Sequence, residues 1–231
     1  MPDKNIKMVN GHPLLAYAIA GAINSSLFDH VVVCTDSEEY ASIARKYGAL
    51  VPELRPSKIS HSCSPDRDWV EWILNLDIFS NIQDSYAFIL RPTNPFRTSN
   101  TILRAWKLFS NSKADTLRAV RKANEHPGKM WIPQGNNIVP LIPLALNSVP
   151  FHSNQTASLF DVYIQDASLE IFSVNAFRNS GNITGDSILP FFSTENESFD
   201  INTPSDLRQM FSLIEGDCKP LMEDPSSCIS E

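Results

Sequence analysis

The run Val31-Val32-Val33-Cys34 is short, unbroken and β-branched, the pattern of a strand covered on both faces. Helical stripes flank it. Leu15, Ala18, Ile19 and Ala22 precede it at i, i+3, i+4, i+7 spacing, and Tyr40, Ile43, Ala44 and Tyr47 follow it up to a stop at Gly48. Thr35-Asp36-Ser37 offers capping side chains between strand and helix, and Ala49-Leu50-Val51 extends again. A strand, a helix and a second strand with short connections form one β-α-β unit.

The rhythm recurs. A helix opening near Asp66 buries Trp69, Trp72, Ile73 and Leu76, and the strand Tyr86-Ala87-Phe88-Ile89-Leu90 follows. Ser99 can cap a further helix with Ile102, Ala105, Trp106 and Phe109 inward, ahead of a strand over 115–120. These alternations predict a Rossmann-like α/β fold, a mostly parallel sheet with helices on both faces. Between 125 and 173 short strands and a Gln134-Gly135-Asn136-Asn137 turn predict a small antiparallel insertion, a place for substrate or subunit contacts. Thr203-Pro204 then opens a helix burying Leu207, Met210, Phe211 and Ile214. The expected organisation is one domain over 1–216 and a loose tail over 217–231, whose prolines and paired serines carry no periodic apolar set.

Charge narrows the function. Lys and Arg number 19 against 26 Asp and Glu, a formal −7, which is unsuited to gripping long nucleic acid. No apolar stretch reaches the roughly 20 residues of a membrane span, and no signal peptide is apparent, so a cytoplasmic protein is expected. The four cysteines lack zinc-ligand spacing and are expected as free thiols.

In an open α/β sheet, ligands sit at the carboxyl ends of strands. An acidic chain that places Arg55, Arg91, Arg97 and Arg118 there is expected to bind an anion. Asp36 can either cap its helix or face a nucleotide. His126, beside Pro127, reads as a structural hydrogen-bonding residue rather than a general base.

Several segments occur in a telling order: Pro2-Asp3-Lys4-Asn5, Val33-Cys34-Thr35-Asp36-Ser37, Leu54-Arg55-Pro56, Arg91-Pro92-Thr93-Asn94-Pro95-Phe96-Arg97, Glu125-His126-Pro127-Gly128-Lys129-Met130-Trp131 and Phe199-Asp200-Ile201-Asn202-Thr203-Pro204. Together they resemble the cytidylyltransferases that activate acidic sugars, the CMP-sialic acid synthetase family. The resemblance implies that the anomeric hydroxyl of an acidic keto-sugar, a nonulosonic acid, attacks the α-phosphate of CTP and displaces pyrophosphate, with Mg2+ as cofactor and surface glycans as destination. It assigns Lys4 to the triphosphate and, with Asp200, to catalysis. Asn5 and Arg55 would contact the nucleotide. The sugar side would comprise Arg91, Thr93, Asn94, Lys129, Gln165 and Asp166.

Asp200 and Asn202 are the implied metal-side residues, and Asp200 could alternatively cap the helix after it. Relatives often carry Asp-x-Asp where this chain has Asp200-Ile201-Asn202, so a weaker metal site is expected. Relatives also begin with a strand and an Ala-Arg-x-Gly-Ser-Lys-Gly phosphate loop that has no counterpart in this sequence, which holds only 8 glycines. Impaired phosphate binding is expected, from a chain start placed too late or from loss of activity. The rival readings are a catalytically impaired binding or partner subunit, and transfer to the eight-carbon acid KDO. A homodimer through the insertion is expected.

Overall fold

In the computed structural model, residues 3–82, 84–194, 196–215 and 222–229 are described. The strands are β1 (Met8–Val9), β2 (His12–Pro13), β3 (Tyr86–Leu90), β4 (Thr116–Lys122), β5 (Trp131–Gln134), β6 (Asn137–Pro140), β7 (Ala145–Leu146), β8 (Val149–Pro150), β9 (Tyr163–Ser173) and β10 (Ile188–Phe192). The α-helices are α1 (Leu14–Asn24), α2 (Glu38–Lys46), α3 (Asp66–Leu74), α4 (Ser99–Ser110), α5 (Val174–Ser180) and α6 (Pro204–Glu215).

The central sheet has the order β10-β4-β9-β3. β10 and β4 are parallel, and β9 runs antiparallel to both β4 and β3. β3, β4 and β10 therefore point the same way, and β9 alone reverses. Three of the four strands thus share one direction, in keeping with a mostly parallel sheet, and the reversed β9 makes it mixed. The insertion is shorter than expected, because β9 lies inside the sheet instead of belonging to an excursion ending at 173. Its first residues, Tyr163 and Ile164, are exposed and resemble a surface hairpin, whereas Leu169, Ile171 and Phe172 are buried. The excursion that remains carries the hairpins β5-β6 and β7-β8.

Helices cover both faces, as the alternation implies. Because side chains alternate along a strand, Leu117, Ala119, Leu169 and Ile171 meet Ile102, Ala105 and Phe109 of α4 on one face. On the other, Ile89 and Phe172 meet Val70 and Leu74 of α3 and Val174 and Phe177 of α5. The expected strand at 31–34 is reduced to one parallel bridge, Val32 with Leu50, where Leu50 N donates to Val31 O (2.8 Å) and Val33 N to Leu50 O (2.9 Å). The β-α-β unit is present, but its ladder is too short to form a regular strand.

Caps fall close to their sequence signals. Ser37 Oγ accepts from Tyr40 N at the start of α2. α4 is capped by Thr98, one residue before Ser99, in a reciprocal capping box with Thr101. The tail differs from expectation. Residues 217–221 lie outside the described set, but Met222–Ile229 dock on the body. Glu223 accepts from Ser99 N (2.8 Å) at the positive end of α4 and from Asn24 Nδ2 (3.0 Å), and Pro225 is buried. An anion at a helix N-terminus supplies what composition alone could not reveal.

β9 breaks its ladder with β4. Arg118 pairs with Glu170 and Val120 with Gln165, so residues 166–169 bulge opposite Ala119. Within the bulge Ala167 has φ +58°, a left-handed conformation unfavourable for a residue with a Cβ. Ala167→Gly should therefore stabilise the protein by about 0.5 to 1 kcal/mol in urea denaturation, because the relieved strain exceeds the entropy glycine adds to the unfolded chain. Glu223→Ala should cost about 1 kcal/mol through the lost helix-terminal interaction. An unchanged denaturation midpoint for Glu223→Ala would remove the tail from the folded unit.

Candidate active site

Three loops converge at the carboxyl ends of the parallel strands. The loop after β3 contributes Thr93, whose carbonyl accepts from Ile201 N (3.0 Å), and Asn94, whose Nδ2 donates to Phe199 O (3.0 Å). The N-terminal turn contributes Lys4, whose ammonium donates to Ile201 O (3.0 Å) and Asn202 Oδ1 (2.9 Å). Asn202 Nδ2 in turn donates to Asp200 Oδ2 (2.6 Å). Lys4, Asn202 and Asp200 thus form a chain, and Asp200 Oδ1 is buried with no hydrogen-bond partner. The capping alternative for Asp200 is not what the structure adopts. Asn202 N and Thr203 N donate to Asp206 Oδ2, and Thr203 Oγ1 accepts from Asp206 N, so Asp206 and Thr203 cap α6. Asn5 Oδ1 is also buried and unpartnered.

A second cluster lies on the α3 face of the sheet. Side-chain alternation puts Arg118 and its cross-strand neighbour Glu170 on that face, below the start of α3. Arg118 approaches Glu170 at 3.2 Å and donates to Gln165 Oε1 (2.7 Å) and Thr184 Oγ1 (2.9 Å). Arg91 lies 3.7 Å from Glu170 and donates to Asp66 Oδ2. Asp66 Oδ1 accepts from Trp69 Nε1 (2.9 Å). Two guanidinium groups and two carboxylates balance in charge, a different picture from the bare anion-binding edge expected of the sequence. Burial works against the Asp66 carboxylate, but the hydrogen bonds from Arg91 and Trp69 and the charge of Arg91 outweigh it and hold the carboxyl below its usual value. Burial likewise opposes the Arg91 charge, and Asp66 with Glu170 and Asp200 more than restores it.

The remaining candidates are placed as follows. Arg55 donates from Nε to Ser60 Oγ (3.0 Å) and lies 3.7 Å from Asp36. Asp36 therefore faces Arg55, and Ser37 is the cap. Burial pushes the neighbouring Cys34 thiol up to about 11, with Arg55 opposing, which disfavours the thiolate. Asp166 is turned inward, accepting from Ser168 N (2.8 Å), Ser168 Oγ (2.6 Å) and Ser193 Oγ. Lys129 donates to His152 O (3.0 Å) and Asn154 O inside the excursion. His126 Nδ1 accepts from Gly128 N (2.9 Å), which fixes Nε2 as the donor to Phe160 O (3.2 Å). Both ring nitrogens are occupied, in keeping with a structural residue. A Cβ on Gly128 would come within 2.9 Å of both His126 Nδ1 and the Phe151 Cβ, so the turn requires glycine.

Arg97 is the largest departure. It is 1% exposed, its Nη1 donates to Arg91 O (3.0 Å) and Ser168 O, and its Nε and Nη2 have no partner. Burial lowers its pKa to about 9, opposed by Asp166. It is part of the site's floor and faces no solvent. Asp66, Glu170 and Thr184 are missing from the sequence-based set. Glu170 could have been found as a lone charge inside the apolar run Leu169-Glu170-Ile171-Phe172, and Asp66 gave only a helix-start signal.

The geometry defines an α/β protein with a polar site at strand ends, and comparison with known proteins specifies the kind. A family described as "Cytidylyltransferase" matches residues 1–126, and the chain belongs to it. It is 36% identical over 124 residues to an N-acylneuraminate cytidylyltransferase of Escherichia coli, a stretch covering 53% of this chain and 28% of that protein. It is 26% identical over 223 residues to a CMP-N,N'-diacetyllegionaminic acid synthase of Legionella pneumophila, covering 93% and 90%. Among solved structures, a CMP:2-keto-3-deoxy-manno-octonic acid synthetase complexed with CTP superposes with a TM-score of 0.63 at 9% identity, covering 93% and 92%, a likeness of fold.

Because the folded pKa of Asp66 is lowered, its stabilising effect is complete above the unfolded carboxylate value of about 3.9 and is lost as pH falls through the folded value. Thermal melts of Asp66→Asn should therefore show a shallower acid decline than wild type below about pH 4. Superimposable profiles would mean that Arg91 does not engage Asp66 in solution.

Proposed function

We propose that this chain is a cytoplasmic cytidylyltransferase that transfers CMP from CTP to a nonulosonic acid, releasing pyrophosphate, and that it works as a homodimer through the apolar excursion. The observation that carries the reading is the convergence of Lys4, Asn202 and Asp200 with the Thr93-Asn94 loop at one strand edge. An ammonium ion and a carboxylate oxygen without a partner, held in one rigid frame, suit a polyphosphate and its counter-cation. The excursion exposes Trp131, Ile132, Ile138, Leu141, Leu144 and Val149, apolar surface that a second copy could cover.

Magnesium fits the residues present. Asp200 Oδ1 is a buried carboxylate oxygen without a hydrogen bond, the kind of atom a hard cation takes. Among the described residues no group of three or more His, Cys, Asp and Glu could hold a metal, so Asp200 would act with substrate phosphate oxygens. Asn202, bonded to both Lys4 and Asp200, would orient them. When bound, the cation would neutralise charge building on the phosphates.

The chain's own residues bind and align. Lys4 would move from Ile201 O and Asn202 Oδ1 toward the triphosphate. Asn5 and Arg55 would flank the nucleotide. Arg91, with Thr93 and Asn94, would offer the sugar acid a guanidinium on a firm loop, its carboxylate replacing Asp66 as the partner of Arg91. Gln165, held by Arg118, and Lys129 would complete that side. Positioning two anions in this frame is the main source of rate.

Pyrophosphate release should be seen with CTP and N-acetylneuraminic, legionaminic or pseudaminic acid. Preference for KDO would select the rival substrate, and CTP binding without turnover of any acid would select the binding-subunit reading. Asp200→Ala should nearly abolish release with little change in melting, since it caps no helix. Asn202→Asp should lower the magnesium concentration for half-maximal rate. An unchanged magnesium curve for Asp200→Ala would remove it from the metal site.

A further inference from the structure

β3 and β9 pair through Leu90 with Leu169, and the next pair in register would be Arg91 with Ser168. That pair does not form. One nitrogen of a buried side chain stands in its place: Arg97 Nη1 donates to both Arg91 O and Ser168 O. The guanidinium is thus a wedge that ends the ladder, parting the two strands while tying them together. On one side of it Arg91 turns toward Asp66 and Glu170. On the other, the bulge presents Gln165 and Glu170 to Arg118.

The cost of this arrangement argues for a specific role. Nε and Nη2 are buried without partners, and unsatisfied buried donors are expensive. An apolar side chain could fill such a volume without that penalty. Two carbonyls at the open end of a ladder also need a donor from somewhere, because the broken β4–β9 pairing at the bulge leaves fewer backbone ties to hold it.

We infer that Arg97 is a positioning residue for the sugar-acid side of the site, its Nη1 fixing the distance between the Arg91 loop and the β9 bulge and so the opening in which Arg91 receives a carboxylate. Arg97 acts through Arg91 and touches no substrate. The inference deepens the cytidylyltransferase reading and rests on it for the identity of the ligand.

The test uses the whole chain and two variants, Arg97→Met and Arg97→Lys, with calorimetric titration of CTP and of N-acetylneuraminate at saturating CTP, thermal melts, and amide hydrogen exchange. Arg97→Met should weaken N-acetylneuraminate binding about tenfold or more while CTP affinity stays within about twofold. Exchange should rise in segments 88–92 and 165–170 and not in the body of the sheet. Since a single nitrogen makes both bonds, Arg97→Lys should recover part of the loss. Equal losses for both ligands, wild-type affinities in Arg97→Met, or unfolding of both variants would overturn the inference. If wild type binds no nonulosonic acid, the functional reading fails, and exchange at the two segments still decides the wedge: no local increase in either variant overturns it.

Discussion

The site exists because β9 stops pairing with β4 for four residues. Within a continuous antiparallel ladder, Gln165 and Glu170 would lie too far apart along the strand for Arg118 to reach both. The bulge over 166–169 folds the intervening chain away, so that one guanidinium meets an amide oxygen at 2.7 Å and a carboxylate at 3.2 Å. Asp166 holds the bulge from inside by accepting from Ser168 N and Oγ, and Ala167 bears its strain. Strain of this kind persists only where neighbours over-determine it. Here the buried run Leu169, Ile171 and Phe172 anchors one end.

Charge inside this acidic protein is balanced locally. Glu170 is nearly inaccessible and would be costly as an isolated ion, but Arg118 approaches it from β4 and Arg91 from the loop after β3. Asp66 closes the set from the first turn of α3, so the arginines are pre-oriented without leaving a surplus of positive charge. Pre-orientation reduces the ordering cost that a long side chain incurs on binding. If the proposed reading holds, discrimination among acids would depend on the shape and direction of the Arg91 donors, since net attraction from a balanced cluster is small.

The order of strands and helices was legible because a continuous apolar run marks β3 and a period of about 3.6 marks α3 and α4. The direction of β9 was not. Its exposed first half, Tyr163 to Gln165, carries the signature of a surface hairpin, and only long-range pairing with β3 and β4 reveals an internal strand. Lys4 came only from the family resemblance, whereas the loops bearing Arg91, Thr93, Asn94 and Asp200 could be located at strand ends by the fold rule alone. What each side chain holds could not, because the partners are distant in sequence: Lys4 with Asn202, Arg118 with Gln165, Ser99 with Glu223. Arg97 shows the same limit in sharper form. An arginine three residues beyond Asn94 reads as part of an anion-binding strand edge, and its burial follows only from the return of β9 beside β3.

The two clusters are coupled through one loop. Arg91 opens it and joins the balanced set, whereas Thr93 and Asn94, two and three residues later, hold the Phe199–Ile201 segment that carries Asp200. Arg91 also lies within the electrostatic reach of Asp200. On the proposed reading, a displacement of Arg91 on receiving a carboxylate would act on the same short, proline-containing segment that holds Phe199–Ile201. Pro92 and Pro95 remove two backbone donors and fix two φ angles, so the loop transmits such a displacement with little bending of its own. On the proposed reading, this loop would link binding of the acid to alignment at Asp200.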